Sequence, residues 1–390
     1  MTTDAALRAD GATGAAAPRL TLVISSLGAG GAERVLVTLA NAWAAKGYAV
    51  SIITLDAGET PFYPLHEKII RYALDVQGVS RSAIHAAAVN LRRAWRLRLA
   101  IRRTLPDAVL SFMDQTNVLT VMACFRLKLT VVVSEHTDPA AMLNGRLWNF
   151  LTGLAYRRAA AVVTLTETAA AYLRDRTGRP VVSIPNPVVP VEAGKTSAAA
   201  PRRPGIMAMG RFSREKGFDL LIEAFGQLAS RHPEWTLTIL GDGPERRALE
   251  AAIDRLGLRV RVSLPGEVSC PSVVIRQAEL FVCPSRVEGF GMALCEAMAC
   301  GLAVIAADAD GPRAILRDGE NGLLVPREDS RALAAAMERL MTDADLRSRL
   351  GKRAAEVTSR FSLERILPQW EALLLPKGKD AQSTPPRERD

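Results

Sequence analysis

Short apolar runs alternate with longer amphipathic segments along the chain, and this alternation narrows the range of folds more than any other feature of the sequence. In the first half the apolar runs lie at 20–25, 49–54, 107–111, 129–134, 160–164 and 181–184. Between them, segments such as 32–46, 83–104 and 142–158 repeat apolar residues at helical spacing. Strands that are apolar throughout are typical of a parallel sheet covered by helices, because both faces of each strand are buried. The pattern therefore predicts a Rossmann-like α/β domain.

A proline-rich stretch interrupts the alternation, which then starts again. Residues 185–204 contain five prolines and an Ala/Ser run, which predicts an interdomain linker at 191–204. Apolar runs then return at 206–210, 236–240, 260–264, 279–283, 302–306 and 322–325, and helical segments at 217–230, 244–256, 290–300, 329–342 and 345–357. The sequence thus predicts two doubly wound domains, 19–190 and 205–360, with a cleft between them. In such sheets ligands bind beyond the carboxyl ends of the strands.

The remaining segments are interpreted from composition. We expect 1–18 to be a disordered leader, since it lacks the basic region and apolar core of a secretory signal. An amphipathic segment predicts a C-terminal helix within 361–375 that crosses back to the first domain, and 376–390 is expected to be a disordered polar tail. No apolar run reaches the roughly 18–20 residues that span a bilayer. The five cysteines form no CxxC pair and no zinc-type cluster, which indicates a reducing cytoplasm.

Positive charge is concentrated in the first half of the chain. Residues 1–190 hold 21 Lys/Arg against 13 Asp/Glu, whereas 191–390 hold 29 against 28. Such asymmetry suggests an anionic partner for the first domain: a membrane surface, a phosphorylated lipid or nucleic acid. No recognised nucleic-acid motif accompanies the charge, so we expect no nucleic-acid partner.

Much of this excess lies in 81–103, which contains seven arginines and no acidic residue. A basic amphipathic helix with a tryptophan suits an anionic membrane surface. The expected membrane or acceptor contacts are Arg92, Arg93, Trp95 and Arg96. In the alternative, apolar residues such as Leu91 and Ile101 face the domain core and the arginines are merely solvated.

Glycines follow the first predicted strand in the sequence Gly-Ala-Gly-Gly-Ala-Glu-Arg, 28–34. Gly30 and Gly31 would let the backbone approach an anion beside the N-terminus of the next helix. Glu33 stands where a dinucleotide fingerprint needs a glycine, which argues against a dinucleotide oxidoreductase. The alternative is a tight turn without a ligand.

Two cations follow the first strand of the second domain, in Gly-Arg-Phe-Ser-Arg-Glu-Lys-Gly at 210–217. Arg211 and Lys216 flank a short loop that opens a helix, an arrangement suited to a diphosphate. Taken alone, the loop would equally hold solvated charges. Its place at a strand end in an interdomain cleft favours the diphosphate.

Two glutamates occur in the segment 284–298. Glu288 ends a loop after a strand, and Gly289 and Gly291 leave backbone N–H groups open at the start of a helix. Glu296 lies further along that helix among apolar residues, where an unpaired carboxylate is costly, so it needs a donor such as a ribose diol. A salt bridge for Glu296 and a capping role for Glu288 are the alternatives.

Two further polar residues follow strands of the first domain. His136, in 134–139, is placed to donate to a sugar hydroxyl or to share in proton transfer, although a lone loop histidine is more often structural. Asn186 lies between Pro185 and Pro187, where its side chain can cap or bind, although a rigid exit from the last strand is the simplest interpretation.

Taken together, these segments resemble the family-4 retaining glycosyltransferases of the GT-B fold. The resemblance covers 20–372 and rests on GAGGAERV (28–35), SEHTDP (134–139), IPNPV (184–188), GRFSREKGFDLLIEAF (210–225), LGDGPER (240–246), PSRVEGFGMALCEAMACGLAVIA (284–306) and NGLLVP (321–326). The glutamate pair in 284–301 is its most specific part.

The resemblance implies a role for each matching position. Gly30 and Gly31 would face the donor phosphates, Arg211 and Lys216 would hold the diphosphate, and Glu288 would bind sugar hydroxyls. The backbone N–H groups of Phe290, Gly291 and Met292 would contact sugar or phosphate, and Glu296 would bind the ribose. His136 would lie near the transferred sugar, and Gly266 to Val268 would lie against the base. On this resemblance the catalytic residues are Glu288, His136, Lys216 and Arg211.

The resemblance also implies the class of reaction. A hexose or N-acetylhexosamine would pass, with retention, from a UDP- or GDP-linked donor to a growing glycan, carried by a polyprenyl-diphosphate lipid in cell-surface polysaccharide synthesis. Arg211, Lys216 and helix N-termini would stabilise the leaving diphosphate without a cofactor or metal. Asp308 and Asp310 are discounted as metal ligands because their position does not fit a donor site. The enzyme would work in the cytoplasm at the inner face of the membrane. The alternative enzyme is a nucleotide-sugar epimerase of the same fold.

Overall fold

The computed structural model describes residues 17–76, 83–140, 145–190, 203–268 and 270–375. Within these ranges the first domain contains strands β1 (Arg19–Ile24), β2 (Ala49–Thr54), β3 (Ile70–Ala73), β4 (Ala108–Phe112), β5 (Thr130–Ser134), β6 (Ala161–Thr164) and β7 (Val181–Ser183). Its helices are α1 (Gly31–Ala45), α2 (Ala83–Thr104), α3 (Asp114–Ala123), α4 (Arg146–Tyr156) and α5 (Glu167–Thr177). The strands form one sheet in the order β3-β2-β1-β4-β5-β6-β7, with parallel pairing in every recorded register.

The second domain repeats this architecture. Its strands are β8 (Gly205–Met209), β9 (Thr236–Leu240), β10 (Val262–Gly266), β11 (Leu280–Cys283), β12 (Ala303–Ala307) and β13 (Leu323–Val325). Its helices are α6 (Phe218–Leu228), α7 (Arg246–Arg255), α8 (Pro271–Ile275), α9 (Met292–Ala299), α10 (Asp310–Ile315), α11 (Ser330–Thr342), α12 (Ala344–Ala354) and α13 (Val357–Arg360). The sheet order is β10-β9-β8-β11-β12-β13, again parallel. The predicted pair of doubly wound Rossmann-like domains is confirmed.

Each sheet reverses its strand order beside its first strand. In the first domain β1 pairs with β2 on one side and β4 on the other, and in the second β8 pairs with β9 and β11. Loops that leave adjacent strands in opposite directions open a crevice at the carboxyl ends. Both sheets therefore present a crevice at a defined edge, and the two edges border the cleft described below.

The last helix, α14 (Leu363–Leu374), packs against the first domain after the chain has completed the second. Ile366, Leu367, Trp370 and Leu374 are buried in the same apolar cluster as the strands of the first sheet. On the surface Lys46, which directly follows α1, pairs with Glu371 of α14 at 2.7 Å. This return ties the two domains together by a second connection besides the linker.

Several elements were not predicted by the apolar pattern. The edge strand β3 is only partly buried, so it lacks the continuous apolar run of the inner strands. Helix α3 buries Thr116, Asn117 and Thr120, and these polar residues hide its helical periodicity. Helix α5 was likewise absent from the prediction. The predicted helix at 142–158 begins at Arg146, with 141–144 outside the described residues.

Parts of the predicted termini and linker also fall outside the described residues. These are 1–16 of the leader, 191–202 of the linker and the tail from 376 to 390. No helix in the described part of the chain is both long enough and apolar enough to cross a bilayer.

Candidate active site

A cleft of about 780 Å³ separates the two domains and is lined by loops at the carboxyl ends of both sheets. Eleven of the residues predicted to bind the donor or to act in catalysis line it: Gly30, Gly31, His136, Arg211, Lys216, Val268, Glu288, Phe290, Gly291, Met292 and Glu296. They come from segments up to 266 residues apart in the chain. The four side chains on which the sequence argument depends, Arg211, Lys216, Glu288 and Glu296, thus share one hollow.

Lys216 and Glu288 form an ion pair on the second-domain side of the cleft. Lys216 Nζ lies 2.8 Å from Glu288 Oε2, and that oxygen also accepts a hydrogen bond from Ser285 Oγ at 3.0 Å. Burial alone would lower the pKa of Lys216, but the Glu288 carboxylate outweighs it and the pKa is raised. The pair therefore keeps an ammonium group charged within a half-buried site.

A glycine permits the close approach that builds this pair. Gly217 has φ +67°, and a Cβ there would lie 2.2 Å from the carbonyl oxygen of Pro284. The loop that carries Lys216 can therefore rest directly on the backbone that leads to Glu288. A larger residue at 217 would separate the two loops.

Arg211 is the unpaired cation of the cleft. Its side chain makes no hydrogen bond or ion pair to any residue that the structure describes, and it is exposed at the cleft wall. Lys216 and Arg34, the other cleft cations, are engaged with carboxylates. Arg211 is thus free to meet an anionic ligand without giving up a protein partner.

Glu296 pairs with Arg34 across the cleft. Glu296 belongs to α9 of the second domain and is 6% exposed, and its carboxylate contacts the guanidinium of Arg34 in α1 of the first domain. Burial raises the pKa of Glu296, and Arg34 opposes that rise. The salt-bridge alternative for Glu296 is thus realised in this structure, and its partner comes from the opposite domain.

Two helix N-termini face each other across the cleft. Neither α1 nor α9 has a side-chain cap, and a Cβ on Gly31 would lie 3.4 Å from Met292 Cγ. Uncapped N-termini leave N–H groups and positive dipole ends for an anion. At α1 the Glu33 carboxylate lies against Gly30, and burial raises the pKa of Glu33. The N-terminus of α9 is therefore better suited to bind an anion than the N-terminus of α1.

His136 lies where the loops of the two domains touch. Its Nε2 is 3.0 Å from Ser134 Oγ, and its ring stacks on Phe112 with centroids 4.7 Å apart. Burial lowers the pKa of His136 to about 3. A Cβ on Gly289 would lie 2.6 Å from the His136 carbonyl oxygen, so the backbone beside Glu288 abuts the histidine loop. The imidazole is therefore neutral near pH 7 and lies on the wall of the cleft.

Gly266 does not line the cleft, whereas the sequence resemblance predicted that 266–268 would lie against the base of the donor. It ends β10 with φ +95°, and its carbonyl oxygen accepts a hydrogen bond from the N–H of Gly241. Glu267 and Val268 line the cleft instead. Gly266 turns the chain so that the next two residues reach the cleft.

Arg34, Tyr63 and Asn186 also line the cleft, although they were not among the predicted site residues. Arg34 is the last residue of the glycine motif 28–34, and that position was the available signal. Tyr63 lies in a segment without apolar periodicity, and its hydroxyl donates to the Ala29 carbonyl oxygen at 3.0 Å. Asn186 is 3% exposed, and no described group hydrogen-bonds its Oδ1. A buried acceptor without a partner at a cleft wall is available to a ligand hydroxyl.

Asp308 and Asp310 lie outside the cleft lining. Asp308 pairs with Arg313 at 2.7 Å, and Asp310 accepts a hydrogen bond from Thr166 of the first domain. Both carboxylates are therefore committed to protein partners. Among the described residues no group of three or more His, Cys, Asp or Glu side chains is arranged to hold a metal ion.

The arginines of α2 divide into two kinds. Arg93 Nε donates to the Val76 carbonyl oxygen at 2.7 Å, and Arg96 donates to that of Asp75 at 3.3 Å. Arg92 and Trp95 are exposed. Arg93 and Arg96 each use a donor to hold the backbone that follows β3, whereas Arg92 makes no such bond among the described residues, and contact of these residues with a membrane or acceptor stays a prediction.

The packing of α2 also resolves the alternative for its apolar residues. Leu97 and Ile101 are fully buried against the first sheet, whereas Leu91 is 67% exposed. The alternative interpretation, in which the apolar residues of this helix face the domain core, therefore holds for Ile101 and not for Leu91. An apolar residue beside Trp95 therefore remains at the surface.

Sequence comparison assigns both halves of the chain to known families. Residues 29–191 match the family described as Glycosyltransferase Family 4, and 194–357 match Glycosyl transferases group 1. The chain is 28% identical over 91% of its length to the Campylobacter jejuni GalNAc-alpha-(1->4)-GalNAc-alpha-(1->3)-diNAcBac-PP-undecaprenol alpha-1,4-N-acetyl-D-galactosaminyltransferase, covering 98% of that protein.

Two further proteins that are similar to this chain agree with the family assignment. Lipopolysaccharide core biosynthesis glycosyltransferase LpsE of Rhizobium meliloti is 29% identical over 89% of this chain and 96% of its own. The structure of sucrose-phosphate synthase from Thermosynechococcus elongatus superposes with a TM-score of 0.78, at 23% identity, over 91% of this chain and 98% of that one. The last similarity concerns the fold alone.

Proposed function

The chain belongs to the family-4 glycosyltransferases of the GT-B fold, and we propose that it moves a hexose or N-acetylhexosamine from a UDP- or GDP-linked donor to a polyprenyl-diphosphate-linked glycan, with retention of anomeric configuration. Relatives named for lipid-linked glycan and lipopolysaccharide core synthesis support a role in making cell-surface polysaccharide. One observation carries the proposal: two cations of the 210–217 loop and two carboxylates of the 284–298 segment meet in the interdomain cleft.

The main demand of this reaction is to stabilise the departing diphosphate. Arg211 makes no side-chain hydrogen bond or ion pair within the described part of the chain, Lys216 is held charged by Glu288, and the N-terminus of α9 is uncapped. Preorganised charges of this kind act most strongly in a site that excludes water. These groups support a leaving-group clamp built from this chain alone, and we propose that no metal ion is required.

The two glutamates suit the two ends of the donor. Lys216 and Ser285 both contact Oε2 of Glu288, so about two acceptor lone pairs remain on Oε1, which suffices for sugar hydroxyls. Glu296 would exchange its contact with Arg34 for the ribose diol. Arg34 would then be released toward the diphosphate or the solvent. Donor binding is thereby coupled to the contact between the domains.

In the proposed chemical step the acceptor oxygen attacks the anomeric carbon on the face from which the diphosphate leaves. The bond from that carbon to the phosphate oxygen breaks as the new glycosidic bond forms. The acceptor proton passes to the departing phosphate oxygen, so atoms and charge balance without a protein nucleophile. Neutral His136 would orient a sugar hydroxyl, and Asn186 Oδ1 would accept one.

The basic first domain suits an anionic, membrane-borne acceptor. Arg92 and Trp95 are exposed on α2, a helix that carries no acidic residue. A basic helix with an exposed tryptophan is attracted to anionic lipid surfaces. We propose that the enzyme contacts the inner face of the cell membrane through this helix.

A donor screen tests the proposal. Wild-type enzyme is incubated with UDP- and GDP-linked hexoses or N-acetylhexosamines and a polyprenyl-diphosphate glycan, with and without EDTA. The expected product is an extended glycan with the donor's anomeric configuration, formed equally in EDTA. An inverted linkage would refute retention, loss of activity in EDTA would refute the metal-free clamp, and epimerised donor without extended glycan would identify an epimerase instead.

A further inference from the structure

An apolar groove of about 1340 Å³ runs between helices α2, α3 and α4 of the first domain. Its walls include Leu91, Leu119, Met122, Phe125, Leu151 and Leu154. Small-molecule pockets are typically about 300–1,000 Å³. The groove therefore has room for a long apolar ligand.

The apolar lining continues onto the open surface. Met122, Phe125, Leu151 and Leu154 are all exposed, by 40–50%, although each lies on the groove wall. Soluble proteins rarely leave contiguous apolar surface uncovered unless it binds something. The surface and the groove together form one path into the domain.

The groove and the interdomain cleft share a wall residue. Met113 lines both hollows. Ser25 and Leu55, which directly follow β1 and β2, also line the groove. The groove therefore opens at the same carboxyl edge of the sheet that forms the first-domain wall of the cleft.

Basic side chains border the groove. Arg93 and Arg158 line it, and the guanidinium groups of Arg126 and Arg158 lie 5.3 and 5.8 Å from the ring centroid of Phe125. Asp114 is the one acidic residue in the described lining, and its carboxylate accepts a hydrogen bond from Trp148 Nε1 at 3.1 Å. An apolar hollow with a basic border matches a lipid with an anionic head group.

We propose that this groove holds the first part of the aliphatic chain of the lipid-diphosphate acceptor, an inference that rests on the proposed function. Arg93, the lining cation held at the carboxyl edge of the sheet by the Val76 carbonyl, then lies on the side of the diphosphate, and the glycan extends past Met113 to the donor sugar. When part of the lipid chain is bound in the groove, the position of the acceptor relative to the donor is better defined than it would be by contact of the protein with the membrane surface. The enzyme therefore distinguishes acceptors by the length of their lipid chain.

The test compares one glycosyl diphosphate on a long polyprenyl chain with the same glycosyl diphosphate on a short alkyl chain, both in detergent micelles. The acceptor KM is measured for wild type, Leu151→Asn/Leu154→Asn, Met122→Asn and a matched control, Phe150→Asn. Phe150 is 66% exposed on the same helix as the leucines but lies outside the groove lining. Thermal melting confirms that each variant is folded.

The expected result is a preference of wild type for the long chain, lost in the groove variants and kept in the control. Because each buried methylene contributes roughly fourfold in affinity, the double variant should raise the long-chain KM at least about tenfold. An unchanged KM ratio in both groove variants would overturn the proposal. An equal loss in Phe150→Asn would also overturn it, since a flat membrane contact would then suffice.

A binding experiment separates this inference from the proposed function. If wild type extends neither acceptor, the proposed function fails, but the groove remains testable with a polyprenyl diphosphate brominated near the head group. Trp148 lines the groove and Trp95 does not. Quenching of tryptophan emission should be reduced in Trp148→Phe and retained in Trp95→Phe, and the opposite result would reject the groove.

Discussion

Replacing Lys216 by methionine tests the ion pair between Lys216 and Glu288. It separates the contribution of Lys216 to stability from its contribution to donor binding. In the folded protein Lys216 Nζ lies 2.8 Å from Glu288 Oε2, and the side chains are 27% and 13% exposed. A hydrogen bond to a charged group contributes about 1.5–3 kcal/mol, so its loss to a diphosphate weakens binding about 10- to 150-fold. We expect Lys216→Met to reduce affinity for UDP or GDP by that factor.

The same substitution has a cost in stability. Breaking a fully buried pair costs about 3–5 kcal/mol, but this pair is partly solvated and Ser285 still donates to Glu288, so about 1–2 kcal/mol is expected. For a domain of this size that lowers the melting temperature by roughly 2–8 °C. The double variant Lys216→Met/Glu288→Gln removes the stranded carboxylate and should recover most of the stability.

The assay is calorimetric titration with UDP and with GDP, together with thermal melting of each variant. Lys352→Met on α12, an exposed site outside the cleft, is the matched control and should change neither quantity. The double variant should regain melting temperature without regaining affinity. If Lys216→Met binds the preferred nucleotide within twofold of wild type, Lys216 does not hold the diphosphate.

Three further substitutions test other parts of the site. Arg34→Ala should lower the free energy of unfolding by about 1–3 kcal/mol. The loss should be larger at pH 8 than at pH 5, because the pKa of Glu296 is raised and the folded protein can keep a proton on this carboxyl group that is lost as the pH rises. Equal losses in urea unfolding at both pH values would contradict this. Burial lowers the pKa of His136 from its ordinary value of 6.5 to about 3, so wild-type stability should fall as the pH drops below about 6.5. His136→Asn should flatten the dependence of the urea midpoint on pH between pH 6.5 and 4. A wild-type slope retained by the variant would assign the effect elsewhere. Asn186→Ala should melt within about 1 °C of wild type, because no described hydrogen bond to Asn186 Oδ1 is lost. The same variant should raise the KM of a substrate roughly 2- to 10-fold. Unchanged kinetics for both donor and acceptor would show that no ligand uses this oxygen.

Local features of the sequence were sufficient to predict the fold class and much of the cleft. The inner strands are buried on both faces, so each appears as an uninterrupted apolar run, and the restart after the prolines indicates a second domain. The side chains of Arg211, Lys216, Glu288 and Glu296 follow strand ends, and a parallel sheet brings its strand ends to one edge. Their convergence could therefore be inferred without distances.

Which charges pair was decided by the tertiary structure. Glu296 needed a donor because of its apolar surroundings, but that its partner is Arg34, from the other domain, depends on how α1 and α9 face each other. Likewise Arg93 and Arg96 have the composition of a membrane contact, yet they bond backbone carbonyls beside β3. A sequence pattern records the spacing within one helix and not the groups that a neighbouring segment presents to it.

The same limit applies to the hollows of the molecule. The groove that begins at Met113 is bordered by three helices, one of which, α3, was not predicted because it buries polar residues. Periodicity reports which face of a segment avoids water, so it predicts elements and their buried sides. The volume left between elements depends on sheet order and on loop geometry such as the close approach at Gly217, and these arise only when distant parts of the chain pack together.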